Sequence, residues 1–528
     1  MTSTRERFFV RVTLSVVVTQ RKSAPTTNRE HSEAPPAPPM GSSRAPDMVV
    51  VTSAYGSEGD ILPLLALARE CRLAAPARTR VVFVTNPRFE PPEARRDRRP
   101  GSLEFVGVGS REAYDAMLAD SRDPRRRDRR ALARFWVSHL DEHFDALRAL
   151  SAQCARGGKT VVVAHTLDLA ARCFEEWVAL SENEGAVACV TAALSPAMLR
   201  CDDVRAPVLS AVLGDCLGQA LSRNAPKLAW RVYDAAVDRA MRGVDAFRRR
   251  RVFSETQEFS TFPKNALASR EEFTPARGIY RDWFLCRGGV IAMWPPWFGA
   301  PNPQWPRRCA QVGFPGDLAP RSKAAAEEEE DATWAPFLED ARDARRDVWV
   351  FMVGSGNPPH ARAFFEAAVR AAARARARAV LLTRHADAVP GVSSTPFLHV
   401  AHCDLRALLS HDACAGVVHG GGVGTTAVAL ASGVAQIVVP SGWDQHDNAR
   451  RAKRLAAKNV VAEISVGAFR ASPRRVARLM AETTKESKKR GKVDTLEAAR
   501  RQSAFVDARS WGGARRAAAH ILAPRAWS

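Results

Sequence analysis

One segment, residues 415–448, constrains the fold of this chain more than any other. It reads AGVVHGGGVGTTAVALASGVAQIVVPSGWDQHDN, which predicts a buried strand over Ala415–Val418 and a glycine-packed turn over Gly420–Gly424. A helix that begins at Thr425 and a second apolar strand over Ala435–Val439 are predicted to follow. A strand, a helix and a strand in succession are typical of a βαβ unit. Because parallel sheets are covered by helices on both faces, the segment predicts an α/β domain.

The glycine-packed turn predicts a binding site for phosphate. A turn without side chains leaves backbone N–H groups free at the positive end of the helix dipole, where phosphate or diphosphate binds. His419 can add a hydrogen bond or a positive charge, and Thr425 offers a hydroxyl. A polar loop that contains Asp444 and Gln445 follows the next strand and projects from the same edge of the sheet. The unit therefore predicts a diphosphate site with an acid and an amide beside it, suited to sugar hydroxyls.

This segment resembles the donor-binding signature of nucleotide-sugar glycosyltransferases of the GT-B fold, the UDP-glycosyltransferase family 1 type. The similarity is greatest to macrolide, glycopeptide, rhamnolipid and sterol-type members and to the erythromycin biosynthesis CIII-like C-terminal domain. The pattern H-x-G-G-x-G-T is met by His419, Gly421, Gly422, Gly424 and Thr425, and the D-Q pair by Asp444 and Gln445. Many relatives have a second His where this chain has Gly420, and rhamnolipid-type members differ there too. The resemblance implies that these residues bind the donor and that the D-Q pair holds sugar hydroxyls.

A second segment, Trp294–Pro315, resembles the interdomain segment of the same enzymes, where W-F-x-x-P-x-x-x-W-P leads into G-F-P. We expect its aromatic side chains to stiffen a linker. The resemblance extends from about residue 48 to about 465 and implies an α/β GT-B architecture, two doubly wound Rossmann-like domains that face an interdomain cleft. We expect a tail over 1–46, an acceptor-binding domain over 47–292, a linker over 293–333, and a nucleotide-sugar-binding domain with basic C-terminal helices over 334–528.

Alternation of strands and helices from Met48 onward also indicates two parallel sheets. In the first domain, strands are predicted at Val49–Ser53, Val81–Thr85, Leu103–Val108, Thr160–Ala164 and Val187–Thr191, with helices at Ile61–Leu73, Ala131–Cys154, Leu167–Leu180 and within Leu209–Phe253. In the second, strands are predicted at Val348–Val353, Ala379–Thr383 and Phe397–Ala401 besides the two described above, with a helix at Ala361–Ala377. Ligand sites in such folds lie at the carboxyl edges of the sheets, which here predicts a site in the cleft.

The turn Gly56–Asp60, GSEGD, is the best candidate for the position of a general base. In the resembling families this G-S-x-G-D position carries the acid proposed as general base. The alternative is that Asp60 only caps the following helix, a frequent role of Asp. A solvated Asp, with a pKa of about 4, is a weak base, so a neighbour or burial is needed to activate it. His165 and Asp168, after the fourth strand, are candidate partners, although a His at a strand end is often structural.

Ser355 and Gly356, in the turn after the first strand of the second domain, are candidates for a second phosphate contact. No D-x-D signature and no His, Asp or Glu cluster with metal-ligand spacing accompanies the donor signature. A glycine turn and a helix dipole can replace a metal ion, so we predict no metal and no cofactor apart from a UDP-sugar or dTDP-sugar as co-substrate. The ten cysteines contain no C-x-x-C pair, which indicates neither a zinc framework nor a disulfide scaffold and fits a reducing compartment.

The formal net charge of +21 leaves three interpretations open. The basic runs are solvated helix faces, or they attach the protein to an anionic membrane surface, or they bind nucleic acid. Because the arginines do not alternate with aromatic residues, we predict no nucleic-acid partner. No run of 18 apolar residues occurs, so no transmembrane helix is predicted. We expect a cytoplasmic protein, peripheral to a membrane if it binds one, or an organellar (plastid or mitochondrial) protein if the arginine-containing tail 1–46 is a transit peptide rather than a disordered extension or a misplaced start.

Together these features predict an inverting, metal-independent hexosyltransferase. It would move a hexose from a UDP- or dTDP-sugar to a hydroxyl of a lipid-like or other small apolar acceptor, such as a sterol, a lipid or a secondary metabolite. The alternative is a catalytically inactive nucleotide-sugar-binding protein, which would follow if Asp60 were only a helix cap. A third hypothesis is that the protein is a basic nucleic-acid-binding protein.

Overall fold

The computed structural model describes residues 45–96, 101–122, 137–154, 157–181, 186–201, 203–204, 218, 220–221, 224–240, 242–254, 283–316, 334–354, 360–391, 397–456, 458–490 and 505–523. Residues 45–528 form one compact unit. The predicted tail therefore lies almost wholly outside the described residues. Ser355 and Gly356, the candidates for a second phosphate contact, also lie outside them.

The first sheet has seven parallel strands in the order β3-β2-β1-β4-β5-β6-β7. They are β1 Met48–Ser53, β2 Thr79–Thr85, β3 Leu103–Gly107, β4 Lys159–His165, β5 Val187–Ala193, β6 Val290–Ala292 and β7 Cys309–Gln311. The helices that accompany them are α1 Glu58–Ala74, α2 Pro92–Arg96, α3 Arg111–Arg122, α4 Leu140–Ser151, α5 Leu169–Leu180, α6 Pro226–Ala240 and α7 Arg242–Phe247, the last followed by a π-helical stretch, Arg248–Phe253. Strand order reverses between β1 and β4, and in open parallel sheets the carboxyl ends at such a point border the crevice where ligands usually bind.

The second sheet has six parallel strands in the order β10-β9-β8-β11-β12-β13. They are β8 Val348–Phe351, β9 Arg378–Leu382, β10 Phe397–Val400, β11 Cys414–His419, β12 Ala435–Val438 and β13 Val461–Glu463. The helices are α8 Ala335–Asp343, α9 Ala361–Ala375, α10 Leu405–Leu409, α11 Val423–Ser432, α12 Gln445–Leu455, α13 Val466–Ala471, α14 Pro473–Arg490 and α15 Gly513–Leu522. Short 3₁₀ turns occur at Pro87–Phe89, Pro196–Met198 and Ala386–Ala388.

Several boundaries differ from the sequence predictions. The helix after the glycine turn begins at Val423, not Thr425, because Gly422 has extended backbone angles and serves as its N-cap. Strand β13 was not predicted, since three residues are too few to show a period. Strand β7 lies inside the predicted linker 293–333, where it pairs with β6 at the edge of the first sheet. A three-residue edge strand in a Pro- and Trp-rich segment has little sequence signal.

The chain also returns to the first domain at its end. The sequence pattern assigns the basic C-terminal helices to the second domain. In the structure, however, α15 packs against α1, and its Ala517, Ala518 and Ile521 join the core on that side of the first sheet. The segment leading to α15 lies against the interdomain passage, where the Trp297 indole donates a hydrogen bond to Ser510 over 2.7 Å. Burial of the apolar side of α15 explains this placement, and an ion pair between Arg515 and Glu70 of α1, 3.7 Å apart, adds to it.

Aromatic and aliphatic side chains from both sheets meet in one interdomain cluster. Trp294, Phe298 and Phe314 of the interdomain passage pack there with residues of α11 and α12. The fully buried Arg451 of α12 crosses the same interface, with its Nε 2.6 Å from Asp447 and its Nη1 donating to the Phe298 carbonyl at 3.1 Å. This contact holds the carboxyl edges of the two sheets close together.

Candidate functional site

The glycine turn after β11 exposes the start of α11. Gly422 and Gly424 are exposed, and a Cβ built on either would meet no protein atom within 4 Å. Gly421 differs, because its φ is +88° and a Cβ there would lie 2.9 Å from Val438 and 3.0 Å from the Gln445 carbonyl. The N–H groups of Val423 and the two residues after it have no acceptor within the helix. The turn is therefore open to an incoming anion from one side and closely packed on the other.

His419 is buried beneath this turn. Its Nδ1 accepts the Gly421 N–H at 3.1 Å, and its Nε2 lies 3.2 Å from the Gln436 side-chain oxygen. Burial lowers the pKa of His419 to about 4, and the contact with Gln436 offsets only part of that shift. The ring is therefore neutral near pH 7, with its proton on Nε2 toward Gln436. His419 shapes the turn and does not offer the positive charge that the sequence had suggested.

Asp444 and Gln445 lie at the start of α12, beside the turn. Asn448 donates from Nδ2 to both Asp444 and the Gly421 carbonyl, each at 2.9 Å, which ties the loop to the glycine turn. Burial raises the pKa of Asp444 to about 6, Asn448 opposes that shift, and the charge of Asp60 adds to it. The Gln445 side-chain oxygen accepts the Ser441 N–H at 2.7 Å. The carboxyl and the amide thus stand at the same sheet edge as the turn, with Gln445 also bracing its own loop.

Asp60 lies on the opposite domain, in the first turn of α1. Its Oδ2 accepts hydrogen bonds from the backbone N–H and the hydroxyl of Ser57, both at 2.8 Å. Its Oδ1 lies 3.6 Å from Nε2 of His165. A Cβ at Gly56 would stand 2.6 Å from the same carboxylate, so the turn needs glycine there. Asp60 is therefore the acidic member of a capping box whose N-cap is Ser57, and one of its oxygens also faces a histidine.

His165 ends β4 and is fully buried. Its Nδ1 accepts the Leu167 N–H at 3.3 Å, which leaves the proton of the neutral ring on Nε2, toward Asp60. Burial lowers the pKa of His165, whereas the nearby carboxylates of Asp60 and Asp168 act in the opposite direction. The separation from Asp60 exceeds an ordinary hydrogen bond.

A buried polar cluster behind this pair was not found from the sequence. Ser53, at the end of β1, donates its hydroxyl proton to Asp168, and Nε2 of His143 lies 2.7 Å from the same hydroxyl. Asp168 also caps α5 by accepting the Ala171 N–H at 3.1 Å. Because the Ser53 proton points to the carboxylate, the serine is not a nucleophile activated by the histidine. Asp168 was a candidate partner of Asp60, but its direct contacts are with this cluster, which no local pattern could have revealed since its members are far apart in sequence.

The two halves of the site face each other across the cleft. Ser195, after β5, donates to the Asn448 side chain at 3.4 Å. Arg384 of the second domain forms an ion pair with Glu58, two residues before Asp60. The charge of Asp60 also raises the pKa of Asp444 across the cleft. The cleft thus brings Asp60 and His165 from one sheet edge opposite the glycine turn and Asp444 from the other.

The described residues carry neither a metal-binding group nor a membrane-spanning helix. They contain no group of three or more His, Cys, Asp or Glu side chains placed to hold a metal ion. None of their helices combines the length and the hydrophobicity that crossing a bilayer needs.

Comparison with known proteins agrees with this architecture. Residues 371–498 match the family model described as erythromycin biosynthesis protein CIII-like, C-terminal domain. The glycotransferase of kitacinnamycin is 18% identical with a TM-score of 0.53, and the match covers 90% of this chain and 99% of that one. The calicheamicin glycosyltransferase CalG4 is 15% identical, with a TM-score of 0.52 and coverage of 90% and 97%. Medicago truncatula UGT71G1, solved with UDP-glucose, is 10% identical, with a TM-score of 0.53 and coverage of 90% and 98%.

No curated protein sequence matches the chain. The structural matches have low sequence identity, so they show similarity of fold only. The GT-B fold, with two parallel sheets and covering helices, is confirmed. The resemblance drawn from the glycine signature is also confirmed, by the family model over residues 371–498 and by the fold over most of the chain.

Proposed function

We propose that this protein is an inverting, metal-independent glycosyltransferase that moves a hexose from a UDP- or dTDP-sugar to a hydroxyl of a lipid-like or other small apolar acceptor. One observation carries the proposal: the open helix N-terminus at Gly422 is tied through Asn448 to Asp444, and the charge of Asp60 on the other domain reaches Asp444. A diphosphate at the turn would hold the sugar between the two. The family model matched by residues 371–498 supports the same activity.

In the proposed reaction, the acceptor oxygen forms a bond to C1 of the sugar while the bond from C1 to the diphosphate oxygen breaks. Attack from the side opposite the leaving group inverts the configuration at C1. Asp60 takes the hydroxyl proton through the oxygen that faces His165, while Ser57 holds its other oxygen. The N–H of His165, 3.6 Å from the oxygen that takes the proton, would favour this orientation of the carboxylate electrostatically.

Charge on the departing diphosphate is met by the backbone. The N–H groups of Val423, Gly424 and Thr425 and the helix dipole stabilise negative charge at this point. Asp444, with its pKa near 6, is mostly ionised at pH 7 and can accept hydrogen bonds from sugar hydroxyls. Gln445 would donate hydrogen bonds to the sugar hydroxyls through its side-chain N–H₂ group.

Transfer is tested by mass spectrometry, with purified protein, UDP- and dTDP-hexoses and a set of hydroxylated apolar acceptors. A product heavier by one hexose, with the anomeric configuration opposite to that of the donor by NMR, is the expected result. Nucleotide binding without transfer to any acceptor and without donor hydrolysis would favour the inactive sugar-nucleotide-binding alternative. Retention of the donor configuration would overturn single displacement.

Metal independence is tested on the same reaction. Because backbone N–H groups can neutralise the leaving group, we expect transfer to continue after treatment with EDTA. The alternative is a Mg²⁺ ion held by Asp444 and the donor phosphates, since Mg²⁺ sites often use only one or two protein carboxylates. Activity that is lost on chelation and restored by Mg²⁺ would assign Asp444 to the metal.

A lipid-like acceptor would be encountered at a membrane, so peripheral association with an anionic bilayer from the cytoplasmic side belongs to this proposal. Its support is the basic character of the chain, with a formal net charge of +21.

A further inference from the structure

Helices α9 and α14 pack side by side and cover one face of the second sheet. Their inward sides are apolar: Phe364 and Phe365 of α9 pack in the same core as Val476 and Met480 of α14. Because these apolar sides pack on the sheet, the opposite sides of α9 and α14 face solvent. Both helices show a strong separation of polar and apolar sides, as surface helices do.

The outward sides of this layer are strongly basic, and we call them the basic face. Its exposed cations are Arg362, Arg370, Arg374 and Arg376 on α9 and its C-terminus, Arg470 on α13, and Arg474, Arg475, Arg478, Lys485 and Lys488 on α14. The carboxylates on the same elements are Glu366, Glu482 and Glu486. The cations therefore outnumber the carboxylates by a wide margin.

Ion pairs neutralise only part of this charge. Arg362 pairs with Glu366 at 3.5 Å, Arg478 with Glu482 at 3.7 Å, and Lys488 with Asp347 at 2.7 Å. The cations of the basic face that form no ion pair with any described residue are Arg370, Arg374, Arg376, Arg470, Arg474, Arg475 and Lys485. Like charges gathered on one side of a fold repel one another and attract anions.

In two basic runs elsewhere in the chain, the arginines form ion pairs with nearby carboxylates. Arg250 and Arg251, in the basic stretch after α7, both pair with Asp141 at 2.6 Å. On α12, Arg450 pairs with Asp447 at 2.7 Å and with Asp203 at 3.4 Å. The surplus of positive charge on the basic face is therefore a property of that surface rather than of every arginine-rich stretch.

We propose that the basic face docks the protein on an anionic lipid bilayer. Long cationic side chains on two packed helices form a surface that can meet several headgroup phosphates at once. No exposed large apolar residue lies on α9 or α14 among their described residues, so a stacking platform for single-stranded nucleic acid is lacking there. Each Lys or Arg near an anionic membrane surface strengthens binding on the order of fivefold. The surface belongs to the second domain, and this proposal rests on the membrane association included in the proposed function, which it assigns to one face of the molecule.

The test is co-sedimentation of the full chain with phosphatidylcholine vesicles, with and without phosphatidylserine, at two salt concentrations. Wild-type protein is expected to bind only the vesicles that contain phosphatidylserine, and to be released by salt. The triple variant Arg370→Glu, Arg474→Glu, Arg475→Glu is expected to bind on the order of 100-fold more weakly. A matched triple variant, Lys227→Glu, Arg231→Glu, Arg307→Glu, changes the charge equally at exposed positions of the first domain and the interdomain passage and should retain binding.

Equal loss in both triple variants would assign binding to net charge and overturn the proposal. So would equal binding to vesicles without phosphatidylserine, or tighter binding to duplex DNA that the basic-face variant abolishes. Thermal melting of each variant with and without UDP verifies the fold. Because the shift in melting temperature with UDP reports donor binding and co-sedimentation reports membrane docking, failure of docking can be distinguished from failure of the donor site.

Discussion

At Asp60, two roles meet in one side chain. One oxygen accepts two hydrogen bonds from Ser57 and caps α1, and the other faces His165. The cap does not compete with the base role, because the two oxygens are used separately. The cap instead limits the rotation of the carboxylate and keeps its free side toward the cleft.

Asp60→Asn separates the two roles. The amide oxygen can still accept from Ser57, so folding and donor binding should change little. Loss of the proton acceptor is expected to reduce kcat by ~10²–10⁴. Steady-state kinetics with donor titration measures both quantities. Turnover within a few-fold of wild type would mean that Asp60 is only a cap, and His165→Gln would then be the next variant to examine.

His419 links pH to the stability of the glycine turn. The folded-state pKa of about 4 lies below the ordinary value of 6.5, so the folded form resists protonation. Its contribution to the free energy of unfolding is fully present above pH 6.5 and is lost as pH falls toward 4, up to ~3 kcal/mol. His419→Gln cannot take up this proton, so the variant should lose less stability between pH 7 and 5 than wild type. Denaturant unfolding at the two pH values measures the difference. Equal losses in the two proteins would show that His419 is not a buried neutral ring.

At the scale of elements, the glycine turn separates ligand approach from packing. Gly422 has φ −60° and open space around its Cβ position, so the protein alone tolerates a side chain there. Gly421 combines φ +88° with close contacts to Val438 and Gln445. Substitution of Gly422 therefore tests ligand binding, and substitution of Gly421 tests the stability of the fold.

Gly422→Val should leave the melting temperature without ligand nearly unchanged and abolish its rise with UDP or dTDP, because the branched side chain occupies the path of the diphosphate. Gly421→Ala should lower the melting temperature itself, since the left-handed conformation alone costs ~1–2 kcal/mol. Thermal melting with and without nucleotide resolves the pair. Full nucleotide stabilisation in Gly422→Val would move the diphosphate away from this turn.

At the scale of the whole molecule, the chain end helps to hold the first domain. Ile521 of α15 is fully buried in the core formed with α1, while Ala519 on the same helix is exposed. Arg516 also donates to the Val312 carbonyl at 2.7 Å, which anchors the helix to the interdomain passage. The last helix therefore connects the end of the second domain with the first.

Ile521→Ala should lower the free energy of unfolding by ~2–5 kcal/mol, the range for a truncated buried side chain. Hydrogen exchange in α1 should become faster in the same variant, because α1 loses its packing partner. Ala519→Ser is the control on the exposed side and should leave both quantities unchanged. Exchange that increases only in the second domain would contradict the assignment of α15 to the first.

Local patterns were sufficient to predict the fold. The glycine turn, the D-Q pair and the aromatic interdomain passage are short contiguous motifs, and the strand and helix periods follow from which side of each element is buried. The α/β class, the two sheets and the cleft follow from these patterns, and most of the central strands were placed within one or two residues. Short edge strands such as β7 and β13 escaped because a period needs more residues than they have.

Only the tertiary structure decided how distant residues meet. His419 had appeared available to phosphate, but burial between β11 and β12 makes it a neutral support of the turn. The pairing of Asp60 with His165, and of Ser53 with His143 and Asp168, depends on the strand order of the first sheet, which brings β1 beside β4. The docking of α15 on α1 joins residues from opposite ends of the chain. A sequence determines which side of an element is apolar, whereas the choice of the partner that covers it depends on the energy of the whole packed chain.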